Sequence, residues 1–214
     1  MTSNDDHDTT VPDDDRDPIA GLLDRLGGDA TLVRRTAFTR LRATAAPVDV
    51  ATLAAECDLT LHEVETALSD LVSAGAITRS PAGAVVAVGG LSVVPARHHL
   101  RLDGQQYWTW CAFDGIGIPA ALEVDAVVET RCPTCGRALV VPRRGRSPTR
   151  GQPGRRMAAR RTLRERAGRL LPEANLFCDA THLAAWGSTG DHEGAPASLV
   201  ELTDTGKATW ADIT

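Results

Sequence analysis

The chain has 214 residues, 43% of them hydrophobic and 24% charged, which is enough to bury one compact core or two small ones. It has no run approaching the roughly 18 uninterrupted apolar residues that a membrane helix needs, and its acidic start is unlike a signal or transit peptide, so we expect a cytoplasmic protein with no membrane partner. Five cysteines without an export signal favour free thiols or metal ligands over a disulfide framework.

The net charge of −5 is distributed unevenly along the chain. Residues 1–17 hold seven aspartates and one arginine with almost no apolar side chains, which predicts a disordered acidic tail. Residues 143–169 hold eleven arginines and a single acid, Glu165. We expect this arginine-rich run to form a solvated loop and helix, with a site for an anionic partner as the alternative.

Three segments between residues 31 and 75 have apolar side chains at helical spacing. They are TLVRRTAFTRLRAT, VATLAAEC after the capping residue Asp49, and LHEVETALSDLVSAG after the capping residue Thr60. Residues 76–94 then alternate and turn, and Pro81 and Gly83 mark the tip of a hairpin. Three helices followed by a hairpin are typical of a winged helix, so we predict a winged-helix-like domain over residues 18–97.

Winged helices suggest DNA binding, but the charges here argue against a nucleic-acid partner. The third helical segment, in the position of a recognition helix, contains Glu63, Glu65 and Asp70 and neither lysine nor arginine. Phosphate and base contacts need cationic or amide side chains, so this segment would repel a duplex. The cationic side chains that leave some room for nucleic acid are four arginines of the first segment, Arg34, Arg35, Arg40 and Arg42.

Residues 98–214 form the second predicted part of the chain. Within it, residues 124–130 and 138–141 are rich in valine and bracketed by turn residues, which predicts two strands. Strands that follow a helical first part indicate an α+β protein.

The stretch WCAFDGIGIPA, residues 110–120, carries the most informative residues of this second part. It holds Cys111 and Asp114 three positions apart, and four of the chain's few aromatic residues lie between residues 107 and 113. If the stretch is helical, the side chains of Cys111 and Asp114 lie on one face and can meet. Gly115 and Gly117 would then end the helix before Pro119.

A thiol beside a carboxylate can bind a soft metal and transfer a proton. A thiolate is a nucleophile and a soft metal ligand, and a carboxylate in a partly apolar, anionic site has a raised pKa and holds a proton near neutral pH. Cys111 and Asp114 together would bind a soft metal and move a proton, with Cys178 as the candidate second thiol. The alternative is that both cysteines belong to the core, as we expect for Cys57, and that Asp114 lies at the surface.

The order of these residues resembles the organomercurial lyase (alkylmercury lyase) family. The resemblance is carried by WCAFD at residues 110–114, PAAL at 119–122, Cys132 with Pro133, and Phe177 with Cys178. It implies that the winged-helix-like domain packs on a small mixed α/β catalytic domain, residues 98–214, that contains a β-sheet. It also implies a protein without nucleic-acid partners.

The resemblance further implies a reaction, the protonolysis of carbon–mercury bonds without a cofactor. Cys111 and Cys178 would be the thiols that bind the substrate and product mercury, and Asp114 would handle the proton. The products would be a hydrocarbon and Hg(II), which passes to small-molecule thiols or to a mercuric reductase. The aromatic residues near Cys111 would form an apolar pocket for the organic group.

Two other hypotheses stay open. The motif CPTCG, residues 132–136, is one half of a zinc ribbon, and Cys132 and Cys135 could complete a tetrahedral zinc site with Cys178 and His182. That hypothesis makes Cys178 a structural ligand. The other hypothesis is a winged-helix, metal-sensing regulator that binds DNA and catalyses nothing.

Overall fold

The computed structural model of the chain describes residues 26–145, 159–166, 169–187 and 196–213. The predicted acidic tail, residues 1–17, lies outside this range, as do residues 146–158 of the arginine-rich run. The helices are α1 (Gly28–Thr44), α2 (Val50–Cys57), α3 (Leu61–Ser73), α4 (Ala112–Ala121), α5 (Ala180–Gly187) and α6 (Leu199–Thr209). The strands are β1 (Ile77–Arg79), β2 (Val85–Val88), β3 (Leu91–Ser92), β4 (His98–Leu102), β5 (Gln105–Thr109), β6 (Ala126–Arg131), β7 (Ala138–Arg143), β8 (Ala159–Arg166), β9 (Arg169–Leu176) and β10 (Pro196–Ala197).

The three N-terminal helices form where their apolar periodicity and caps predict them. The Asp49 carboxylate accepts the Thr52 backbone N–H at 2.8 Å at the start of α2. Thr60 and Glu63 form a reciprocal capping box at the start of α3. Leu61 in the first turn of α3 fits the apolar periodicity of the helix, but it is 58% exposed and does not pack in the core.

Seven strands form one antiparallel sheet in the order β1-β2-β3-β5-β4-β6-β7. The predicted hairpin is present as β1 and β2, and the predicted strands near residues 124–130 and 138–141 are β6 and β7. Strand β3 pairs with β5 through Leu91 opposite Thr109 and Ser92 opposite Trp108. The sheet is therefore continuous across residue 97, and the division into two domains at that point stays a prediction, as does the winged-helix assignment.

A second sheet contains β10, β8 and β9 in that order. Strands β8 and β9 pair along their whole length, from Ala159 opposite Leu176 to Arg166 opposite Arg169. This pairing overturns the helical expectation for residues 159–166 of the arginine-rich run, since they form strand β8. Charge alone does not distinguish a helix from a strand, and pairing with β9 satisfies the backbone hydrogen bonds of both segments.

Helix α4 lies in the centre of the molecule, between the seven-stranded sheet and α6, and residues 111–120 are all buried. Contrary to the sequence-based expectation, α4 continues through Gly115, Gly117 and Pro119. Both glycines serve close packing instead. A Cβ at Gly115 would lie 3.2 Å from the Val128 side chain of β6, and one at Gly117 would overlap the Trp210 ring.

Buried apolar residues from α1 to Ile213 form a single core cluster. The buried Arg34 side chain of α1 forms an ion pair with Asp212, which follows α6, with a nitrogen–oxygen distance of 2.6 Å. This ion pair joins the first helix to the last described segment of the chain. Among the helices that the structure describes, none has the length and apolar character required to cross a membrane.

The contact between α4 and α6 predicts an unusual response to substitution. In an unconstrained helix, replacing glycine with alanine, as in Gly206→Ala, stabilises the helix by about 1 kcal/mol. Here the added Cβ would overlap the Gly117 backbone, so we expect the free energy of unfolding to fall by about 1 to 3 kcal/mol. Urea denaturation measures the change, with the exposed neighbour Thr205→Ala as the control. A Gly206→Ala protein at least as stable as wild type would contradict this packing.

Candidate functional site

Cys111 and Asp114 form a reciprocal pair at the start of α4. Strand β5 ends at Thr109, whose hydroxyl donates a 2.8 Å hydrogen bond to the Cys111 carbonyl. Cys111 is the N-cap residue, and its backbone N–H donates to the Asp114 carboxylate at 2.8 Å. The Asp114 backbone N–H points back at the Cys111 sulfur. Each side chain therefore reaches the backbone N–H of the other residue across one helical turn, which the three-residue spacing permits.

The Cys111 thiol is enclosed, with only 2% of the residue exposed. Burial raises the pKa of this thiol well above its usual value, and the Asp114 carboxylate raises it further. Backbone N–H groups of Asp114, Ala174 and Phe113 oppose the rise without cancelling it. The thiol is therefore protonated at neutral pH. Because Ala174 belongs to β9, the three-stranded sheet also contributes to this site.

Asp114 is 5% exposed and packs against the turn between β2 and β3. A Cβ at Gly90 in this turn would lie 2.6 Å from the Asp114 Cγ atom. Gly90 also has a φ of +89°, which a residue with a side chain adopts only with strain, and its carbonyl accepts the Trp110 backbone N–H. Gly90 is not among the site residues predicted from the sequence, although the Gly89-Gly90 pair after a valine-rich strand marks a tight turn.

The aromatic residues near Cys111 have distinct packing roles. The Tyr107 hydroxyl donates a hydrogen bond to the Arg42 carbonyl in α1. The Phe113 ring packs on Trp210, with ring centroids 5.1 Å apart, and Trp108 packs on His99. Two of the four residues expected to enclose an organic group, Tyr107 and Phe113, are thus part of the core, whereas Trp108 and Trp110 are half-buried.

Cys178 lies between β9 and α5, in a second group of chemically reactive side chains. Its sulfur is 3.4 Å from the Cys135 sulfur and 2.8 Å from Nδ1 of His182. Nδ1 of His182 is also 3.9 Å from the Cys132 sulfur. The ligand atoms of these four residues all lie within 4.8 Å of one another, and we call the group the thiol-imidazole cluster. Neither Cys111 nor Asp114 is among its members.

Two thiols of the thiol-imidazole cluster, Cys178 and Cys132, have pKa values shifted in opposite directions. Burial raises the pKa of Cys178 to about 12, and hydrogen bonds with the neighbouring sulfurs of Cys135 and Cys132 add to the rise. Burial also acts to raise the pKa of Cys132. There, however, backbone N–H groups of Cys178, Cys135 and Thr134 outweigh burial and lower the pKa to about 6. The proton of this pair is therefore held on Cys178.

All five cysteines are free thiols. Cys57 is buried in α2 as part of the apolar core, which confirms its predicted position. The other four divide into Cys111, at the start of α4, and the three members of the thiol-imidazole cluster. Strand β9 connects the two groups, because its Ala174 backbone contacts Cys111 and the chain reaches Cys178 four residues later.

Comparisons with known proteins identify the family. Alkylmercury lyases of Staphylococcus epidermidis and Streptomyces lividans are 32% identical over 93 residues and 35% identical over 97 residues. These matches cover 44% and 45% of this chain and 41% and 43% of the relatives, so the chain spans less than half the length of the curated relatives it matches. A crystal structure of the mercury-bound form of MerB2 shares the fold, with a TM-score of 0.79 at 19% identity over 91% of this chain and 96% of that one.

The sequence profile of the alkylmercury lyase family, MerB, matches residues 91–210. This segment exceeds half of the chain and contains Cys111, Asp114 and the whole thiol-imidazole cluster. The chain therefore belongs to the alkylmercury lyase family.

Proposed function

We propose that this protein is an organomercurial lyase, which cleaves carbon–mercury bonds by protonolysis and releases a hydrocarbon and Hg(II). The observation that carries the proposal is the buried, reciprocal hydrogen bonding of Cys111 and Asp114 at the start of α4. Membership of the family supports it. The substrates are small organomercurials, which reach the enzyme as adducts with small-molecule thiols.

Cys111 performs the first step. Its sulfur attacks mercury, the proton of the thiol passes to the Asp114 carboxylate, and the small-molecule thiolate leaves. The high pKa of Cys111 keeps the thiol protonated until it meets a soft electrophile, so the proton needed for cleavage is stored in the resting site. Mercury is then bonded to the Cys111 sulfur and to the organic group.

Cys178 and Asp114 complete the reaction. The Cys178 sulfur becomes the second ligand of mercury, Asp114 donates its proton to the carbon atom, and the carbon–mercury bond breaks. Asp114 recovers the proton that Cys178 releases. The hydrocarbon leaves with one added proton, and Hg(II) stays on two thiolates, the ligands that this soft cation prefers.

The surroundings of the site extend the proposal. Trp108 and Trp110 closely precede Cys111 in the chain and are only half-buried, and we assign them to the apolar pocket for the organic group. Small-molecule thiols or a mercuric reductase would accept Hg(II). These partners and the five free thiols suit the reducing cytoplasm.

Ion pairs within the described residues weaken the alternative of a DNA-binding metal sensor. Three of the four arginines in α1 that would contact phosphate have acidic partners within 3 Å. The pairs are Arg34 with Asp212 at 2.6 Å, Arg40 with Glu56 at 2.9 Å, and Arg42 with Asp103 at 2.7 Å. Because this positive charge is already matched, we retain the lyase as the proposed function and expect no nucleic-acid partner.

Product analysis of single variants tests the catalytic assignments. With phenylmercury and excess small-molecule thiol, we expect wild type to release benzene and Hg(II), measured by gas chromatography and mercury analysis. Cys111→Ser and Cys178→Ser should abolish release. Asp114→Asn should slow release about 100-fold or more, since it removes the group that carries the Cys111 proton to carbon, whereas both mercury-binding sulfurs remain. Cys57→Ala is the control for loss of a buried thiol outside the site.

The outcomes separate the assignments. Full turnover by Cys178→Ser would show that this residue is not the second mercury ligand. Stoichiometric mercury binding by wild type without hydrocarbon release would contradict the lyase and favour the sensor.

The turn at Gly90 offers an independent test of how Asp114 is positioned. Gly90→Ala and Gly104→Ala both place a side chain at a φ above +80°, but only the first adds an atom against Asp114, because nothing lies within 4 Å of a Cβ at Gly104. We expect Gly90→Ala to lower the free energy of unfolding by about 1 to 3 kcal/mol more than Gly104→Ala does. It should also slow hydrocarbon release. Equal effects of the two substitutions on stability and rate would contradict the contact.

A further inference from the structure

We propose that the thiol-imidazole cluster is a tetrahedral site for one zinc ion. Its four donors come from two parts of the chain that are 43 residues apart at their closest, Cys135 and Cys178. In a tetrahedral zinc site with metal–sulfur bonds of about 2.3 Å, two sulfurs lie about 3.8 Å apart. The sulfur–nitrogen separation in such a site is about 3.5 Å. The observed 3.4 Å between the Cys135 and Cys178 sulfurs and 3.9 Å between the Cys132 sulfur and His182 Nδ1 lie within about 0.4 Å of these spacings. The 2.8 Å between the Cys178 sulfur and His182 Nδ1 is shorter, so these two donors would move apart by about 0.7 Å when an ion enters.

The turn between β6 and β7 holds the first two donors. The Cys132 backbone N–H donates to the Arg137 carbonyl, and the Gly136 N–H donates to the Cys132 carbonyl, both at 2.9 Å. These bonds fold the CPTCG segment so that the sulfurs of Cys132 and Cys135 face the same point. Cys132 is buried and Cys135 is exposed, so the site lies at the surface, with an open path for an ion.

The start of α5 holds the other two donors. The Asp179 carboxylate accepts the His182 backbone N–H at 2.8 Å, which caps the helix and turns the imidazole toward Cys178. The Thr134 hydroxyl donates to the His182 carbonyl at 2.8 Å and joins the two halves of the site directly. The donors are thus oriented by bonds that do not involve a metal.

The donor set selects the ion. Three thiolates and one imidazole in tetrahedral arrangement suit Zn²⁺, whereas magnesium and calcium require oxygen ligands. Bound there, zinc would join the seven-stranded sheet, through the turn between β6 and β7, to the segment that follows β9. The ion therefore has a structural role.

The site also has a consequence that rests on the proposed function. Cys178 is a member of the thiol-imidazole cluster and is the proposed second ligand of mercury. The Cys178 sulfur would have to leave zinc to become the second ligand of mercury, so zinc binding and Cys178-dependent cleavage compete.

Metal analysis of the full-length protein tests the site itself. After reduction, exposure to zinc chloride and removal of unbound metal, we expect equimolar zinc in wild type and in Cys57→Ala, measured by mass spectrometry of the metal. Cys135→Ser and His182→Asn should lose it, and Cys111→Ser should retain it. Since Cys135 is exposed, its substitution should leave the fold intact, which circular dichroism and thermal unfolding check. Zinc should raise the Tm of wild type and not that of Cys135→Ser.

Two further results would overturn the site. Retention of zinc by both Cys135→Ser and His182→Asn would place the ion elsewhere, and wild type that binds no zinc would exclude it. Cobalt(II) provides a check on geometry, because tetrahedral thiolate coordination gives intense visible absorption and octahedral coordination does not. Weak, octahedral absorption would contradict the proposal.

Measuring hydrocarbon release with and without bound zinc tests the competition. We expect zinc to slow release by wild type, and the ratio of the two rates to return toward one in Cys135→Ser. Equal rates for zinc-loaded and zinc-free wild type would contradict the shared role of Cys178. Equimolar zinc in a protein that releases no hydrocarbon supports the metal site and contradicts the lyase. Hydrocarbon release by a protein that binds no zinc supports the lyase and contradicts the metal site.

Discussion

The hydrogen bond from the Cys111 backbone N–H to the Asp114 carboxylate is the interaction on which the centre of this molecule depends. A carboxylate that is 5% exposed is expensive to bury unless backbone donors satisfy it, and the free N–H groups at the start of a helix are such donors. The same capping arrangement that permits α4 to begin inside the core also brings a thiol and a carboxylate together. Helix initiation and the proposed chemistry therefore require the same two residues.

This arrangement constrains the parts that surround α4. The turn at Gly90 must lack a side chain because Asp114 fills the space, and Gly117 must lack one because α6 crosses there. Strand β9 must run close enough for the Ala174 N–H to reach the Cys111 sulfur. Glycine at these contacts gives up helix propensity and backbone rigidity, and the tight packing around α4 compensates.

The sequence predicts those features that local patterns determine. Apolar periodicity and the caps Asp49 and Thr60 locate the first helices, and the three-residue spacing of Cys111 and Asp114 anticipates their contact. Features that depend on distant neighbours are missed. Gly115 and Gly117 suggest the end of a helix when they are considered alone, because the space they leave for Val128 and Trp210 is set by packing 13 and 93 positions further along the chain. The arginine-rich run likewise needs its β9 partner to become a strand.

Two different sites have been proposed for Cys178. Its position after an aromatic residue, in a segment matched by the family profile, supports a mercury ligand, and its contacts with Cys135 and His182 support a zinc ligand. Both roles use the same property, a polarisable sulfur held near a second soft donor. What distinguishes them is the second thiol beside Cys178. The second thiol of the proposed zinc site is Cys135, 3.4 Å away in the turn between β6 and β7. If both proposed roles hold, a surface turn outside the Cys111 site would determine whether Cys178 is free to bind mercury.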